Sequence, residues 1–171
     1  SLDLDLADSL LSIVRTDALD KNTKVQFTKV QVSIANNRED YMNAVQICKG
    51  MKEDILKGAE ETSQTAFYGE CAIAFAGEKR LNSKDYLEHV GKLTDKKSGY
   101  YTYVAARVAH LMDKSEADSL YKVAEKKLVY CGKIENPDVL TYDLDRSCET
   151  GNKFWGFFHI FTARCVCFLV K

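Results

Sequence analysis

Six cysteines are the residues here with the most chemistry open to them: Cys48, Cys71, Cys131, Cys148, Cys165 and Cys167. Thiols spaced C-x-x-C hold metals or exchange electrons, and no such spacing occurs. Cys165-x-Cys167 lacks the matching close pair that structural zinc prefers. Cross-linking is the chemistry that remains. So many thiols in one chain with neither metal nor redox spacing predicts a disulfide framework in an oxidising compartment, hence a secreted, extracellular protein. The competing reading is reduced, buried thiols that pack as small apolar groups. Cys48 lies ten residues before Gly58 and Cys71 eight after Ser63. At about 1.5 Å per residue, a helical hairpin would bring the two to within roughly 3 Å of the same height, so a bridge is geometrically open. Cys165 and Cys167 stand about 200° apart around a helix and must reach different neighbours. If all six are oxidised, Cys48–Cys71 and Cys131–Cys148 bonds therefore exclude one another.

Catalytic constellations are missing. His89, His110 and His159 stand alone, with no H-E-x-x-H, and no G-x-S-x-G, G-x-x-x-x-G-K-[ST] or G-x-G-x-x-G is present. The expectation is a protein that is not an enzyme and needs neither cofactor nor metal. Asp143, Asp145, Ser147, Glu149 and Gly151 sketch an ion-binding loop. However, Cys148 and Phe154 stand where an EF-hand requires its glycine and its final glutamate. Tyr100, Tyr101 and Tyr103 open an apolar helix and cannot all face one core, so at least one should be exposed and they are candidate partner-binding residues; the competing reading is a ring half buried with its hydroxyl in water. Phe154, Trp155, Phe158 and Phe161 are the candidate lining of a ligand pocket.

These side chains need elements to hold them, and the apolar spacing gives helices almost throughout. Helix-period runs cover residues 2–19, 38–57, 63–77, 83–93, 100–112 and 115–131, with a short helix near 137–145 and an apolar one over 154–170. Residues 24–34 fit strand or helix; lacking a partner strand, they are assigned to helix. Ser63 reads as a helix N-cap, and Ser115 with Asp118 as a capping box. No internal repeat of solenoid period stands out. The expected fold class is all-α: a single compact bundle of about seven to nine helices spanning residues 1–171 as one domain, disulfide-stapled. The apolar C-terminal helix would be its centre, being too short and too interrupted by His159 and Arg164 to cross a membrane.

Hydrophobic residues at 46% and charged residues at 29% are globular values. A formal net charge of −1 removes the electrostatic attraction on which nucleic-acid binding depends. No Asn carries Ser or Thr two places on, so N-glycosylation is not expected. In composition alone, a helical chain with six cysteines resembles the insect odorant-binding type. That family separates its second and third cysteines by three residues, whereas Cys71 and Cys131 are 60 positions apart, and no ligand residue carries over. Two functions follow as expectations. The first is a secreted helical binding protein acting on a macromolecular partner as effector or inhibitor, with no nucleic acid and no membrane insertion. The alternative is a secreted carrier of a hydrophobic or amine small molecule.

Overall fold

The computed structural model describes residues 4–130, and every regular element among them is helical. In chain order these are α1 (Leu4–Ser12), a 3-10 turn (Thr16–Ala18), α2 (Lys21–Asn37), α3 (Tyr41–Gly50) and α4 (Glu53–Lys57). They are followed by α5 (Glu61–Gly77), α6 (Ser83–Leu93), α7 (Gly99–Leu111) and α8 (Ala117–Tyr130). Of these, residues 4–125 belong to one compact unit. The helices expected near 137–145 and over 154–170 lie outside the described residues, as does the C-terminal part of the single-domain expectation.

Polar side chains set several starts. Asp20 Oδ1 accepts from Thr23 N at 3.0 Å, Asp40 Oδ1 from Asn43 N at 3.3 Å and Ser98 Oγ from Tyr101 N at 3.1 Å, each satisfying an amide that the first turn leaves orphaned. The ambiguous 24–34 segment is helix, with Val25, Val32, Ile34 and Ala35 buried on one side of α2. Three expected boundaries are corrected. The first helix stops at Ser12 because Ser9 and Ser12 turn their hydroxyls back onto the carbonyls of Asp5 and Ser9, which weakens the helix at that point. The run 38–57 is two helices, since Met51 and Lys52 are extended (ψ 122° and 136°) before Glu53 and Asp54 start α4. Ser63 is not a cap: α5 starts at Glu61, and Ser63 lies buried within it, accepting from Gln26 Nε2 of α2 at 3.2 Å.

A repeat invisible in the sequence emerges in the backbone. Glu39, Lys79 and Asp113 are the only non-glycine residues with positive φ among those described, at 57°, 54° and 54°. Each follows the first helix of a hairpin: α2 turns into α3, α5 into α6, α7 into α8. The amide after each reaches five residues back, Asp40 N to Ala35 O, Arg80 N to Phe75 O and Lys114 N to Ala109 O, all at 2.9 Å. This is the left-handed helix ending that satisfies the last carbonyls, made three times over. The first helices stack in order, α2 on α5 on α7, while α3 also packs on α5 and α6 on α7. Lys79 Nζ meets both Leu111 O and Asp113 Oδ2, tying the second turn to the third. Residues 21–125 are thus successive helical hairpins, each burying its apolar face on the next, which is the logic of a solenoid.

Among the described residues α5 is the helix enclosed on all sides. Phe67, Cys71, Ala74 and Phe75 join Val25 and Val32 of α2, Ala44 and Val45 of α3 and Leu56 of α4 in the core. Its opposite side meets α7 through Gly69. A Cβ there would lie 2.2 Å from Tyr100 Oη and 3.3 Å from a Val104 methyl, so a larger residue would displace the Tyr100 hydroxyl from this contact.

Candidate functional site

Cys48 sits two turns into α3 and Cys71 in the middle of α5, both on the faces these helices bury against each other. Their Sγ atoms are 2.7 Å apart and both thiols are free. Cys71 is fully enclosed, and burial, followed by the neighbouring Cys48 and Glu70, pushes its thiol well above the ordinary range. A thiol held protonated is a poor nucleophile and metal ligand, which leaves packing or a link between helices as the chemistry open to Cys71. No disulfide staple occurs among the described residues. Cys131, Cys148, Cys165 and Cys167 lie outside them.

Aromatic rings surround this pair. Phe75 and Tyr86 approach to 4.7 Å between centroids, Tyr68 and Tyr86 to 6.3 Å, and His89 lies flat on Tyr68 at 4.8 Å and 14°. Burial raises both phenols, Tyr86 to about 12. Sequence reasoning missed this cluster because its members come from α5 and α6 and meet only once the hairpin closes. The spacing of Tyr86 and His89, three apart on one helix face, is the only local signal of it.

None of the three candidate partner-binding tyrosines is exposed. Tyr103 is buried, and Tyr100 and Tyr101 are half-buried. Tyr100 packs over Gly69 and donates to Ala66 O at 3.4 Å, so it joins α7 to α5. A similar polar joint lies between α2 and α5, where the buried Asn36 donates through Nδ2 to Glu70 O at 3.1 Å and Glu70 Oε2 at 2.8 Å. Phe154, Trp155, Phe158 and Phe161, the expected pocket lining, lie outside the described residues, as does the acidic loop at 143–151. His159 does too, while His110 packs edge-on against Tyr121 of α8 at 6.1 Å. Among the described residues no cluster of His, Cys, Asp and Glu is arranged to hold a metal, and no helix is long and apolar enough to cross a membrane.

Comparison with protein-family models, with curated proteins and with solved structures finds no match to this chain. The site must therefore be read from its own geometry. That geometry offers a stack of helical hairpins, a buried pair of free thiols where the first hairpin packs on the second, and polar joints between successive hairpins. No nucleophile, base and oxyanion donor converge among the described residues in the way acyl or phosphoryl transfer needs.

Proposed function

We propose that this chain is a non-catalytic interaction protein that binds a macromolecular partner along its stacked hairpins. The observation that carries this reading is the threefold turn at Glu39, Lys79 and Asp113, which sets α2, α5 and α7 side by side. Repeats stacked in this way present extended surfaces that suit macromolecular partners better than small substrates. Val30 of α2, 39% exposed, and Gln26, one turn before it, are exposed positions on the first of these helices. The test is quantitative binding of a partner captured by cross-linking with the full chain. The cross-links should fall on α2, α5 or α7, and Val30→Asp should weaken binding about tenfold, a cost of about 1.4 kcal/mol. Cross-links confined to other faces, or binding unchanged by Val30→Asp, would count against the reading.

The compartment we propose with it is extracellular, with Cys48 and Cys71 joined. Its support is the cysteine usage of the whole chain and the 2.7 Å approach of the two sulfurs on separate helices. Alkylation under denaturing conditions without reductant, on protein taken from its native source, should leave these two residues unlabelled. Labelling at both would remove the basis for secretion while leaving the interaction reading intact.

A further inference from the structure

Among the described residues, one face of α2 meets the α3–α5 connection and not another hairpin. Lys24, Phe27, Thr28 and Gln31 recur at helical spacing and look across a cleft of about 420 Å³ toward Met51, Lys52 and Ile55, with Thr16 and Asp17 closing one end. Phe27, Met51 and Ile55 are half-buried and make an apolar floor. The polar groups over that floor are largely uncommitted. Lys21, one turn before Lys24, is held by the carbonyl and carboxylate of Asp54, but among the described residues neither Lys24 nor Lys52 has an ion-pair partner and the Gln31 amide has no hydrogen-bond partner. Thr28 spends its proton on Lys24 O at 2.8 Å.

We infer that this cleft is a binding site for a small amphiphilic carboxylate, an apolar chain or ring bearing a single anionic group. The volume falls in the range of small-molecule pockets and is far larger than an inorganic anion needs. An apolar floor with a few convergent polar groups is how such sites fix orientation. The charge decides the sign of the ligand. Two unpaired lysines against the single Asp17 carboxylate leave one net positive charge, which a monoanion neutralises, whereas a cationic amphiphile would face both ammonium groups. The anionic head sits between Lys24 and Lys52, where the Gln31 amide can donate to it, and the apolar body lies on Phe27, Met51 and Ile55. This site shares no residue with the aromatic ligand pocket expected at 154–161, and the inference does not depend on the interaction reading above.

The chain contains three methionines, Met42, Met51 and Met112, of which only Met51 lines the cleft. Methyl-labelled methionine in the full chain therefore gives a direct probe with two internal controls. Titrated with decanoate below its micelle concentration, the Met51 methyl resonance should shift and saturate while those of Met42 and Met112 hold still. Decanol, equal in length but uncharged, should bind about tenfold more weakly, the loss of roughly one charge-assisted hydrogen bond. Lys24→Gln with Lys52→Gln should bring decanoate down to the affinity of decanol, with the ligand-free positions of Met42 and Met112 unchanged as evidence of an intact fold. A Met51 signal that does not move, equal movement of all three methyls, decanol binding as tightly as decanoate, or a double variant with unaltered affinity would each overturn the assignment.

Discussion

Replacing Gly77 by alanine should destabilise the protein, against the ordinary direction for a glycine in a helix. Gly77 ends α5, and the ring of Tyr41, the first residue of α3, lies directly on it. A Cβ there would be 2.2 Å from the ring Cγ, 2.3 Å from Cδ1 and 2.6 Å from Cδ2. Carbon atoms in contact prefer about 3.5–4.0 Å, so the ring must move by more than about 1 Å from its base, where a side chain has least freedom. Overpacking of this kind costs about 1–3 kcal/mol. The helical preference of alanine over glycine returns at most about 1 kcal/mol. The net expectation is a loss of about 1–2 kcal/mol, read as a lower urea midpoint at unchanged slope in unfolding followed by far-ultraviolet circular dichroism. The decisive arm is the Tyr41→Ala background. With the ring gone, Gly77→Ala should become neutral or stabilising, giving a coupling of about 2 kcal/mol between the two sites. The reasoning is refuted if Gly77→Ala raises stability in the native background, or if it destabilises by the same amount whether or not Tyr41 is present.

Other perturbations test other joints. Glu39→Gly should stabilise the fold by about 1 kcal/mol, because Glu39 holds φ at 57° where a side chain is unfavourable and glycine is not; a lowered thermal midpoint would contradict this. Asn36→Ala should cost about 1 kcal/mol in urea unfolding, the low end for a buried hydrogen bond, since it severs the bonds to Glu70 but also removes a buried Oδ1 that has no partner among the described residues. Tyr86 has its phenol raised from 10.0 to about 12, chiefly by burial. Its contribution to stability is therefore complete below pH 10 and is lost as pH rises toward 12, and Tyr86→Phe should flatten that part of the alkaline decline. Identical pH profiles for the two proteins across this window would exclude burial of the phenol as the cause.

The helices were legible because their apolar residues keep helical spacing: Val25 with Val32, Phe67 with Cys71 and Ala74, Val104 with Val108. The approach of Cys48 to Cys71 follows from counting residues along two packed helices. What stayed hidden has a common origin in backbone conformation. Sequence reasoning expects a helix to end on glycine, yet the three equivalent turns are made by Glu39, Lys79 and Asp113, and the repeat went unnoticed with them. Gly69 and Gly77 serve close packing and not chain reversal. The break at Met51 and Lys52 lies within an unbroken apolar pattern, because Met51 and Ile55 stay on the same side of the chain after the helix stops. Tyr103 is buried where exposure had been expected for at least one tyrosine of its run, since α7 packs along both α5 and α6 and leaves its first turns little open surface.

The interval from Glu39 to Lys79 is 40 residues, against 34 from Lys79 to Asp113. Much of the difference lies between α3 and α5, where α4 occupies a ten-residue connection that is a plain five-residue loop between α6 and α7; α5 is also longer than α7, at 17 residues against 13. Met51, Lys52 and Ile55 all belong to that excursion. One wall of the opening beside α2 therefore comes from α2, which the stacking fixes, and the other from a connection whose length the three turns do not set. Trimming the excursion toward the length of its counterpart would be expected to remove that second wall, and the core contact of Leu56 with it, while varying only its cleft-facing residues Met51, Lys52 and Ile55 would change what can lodge there.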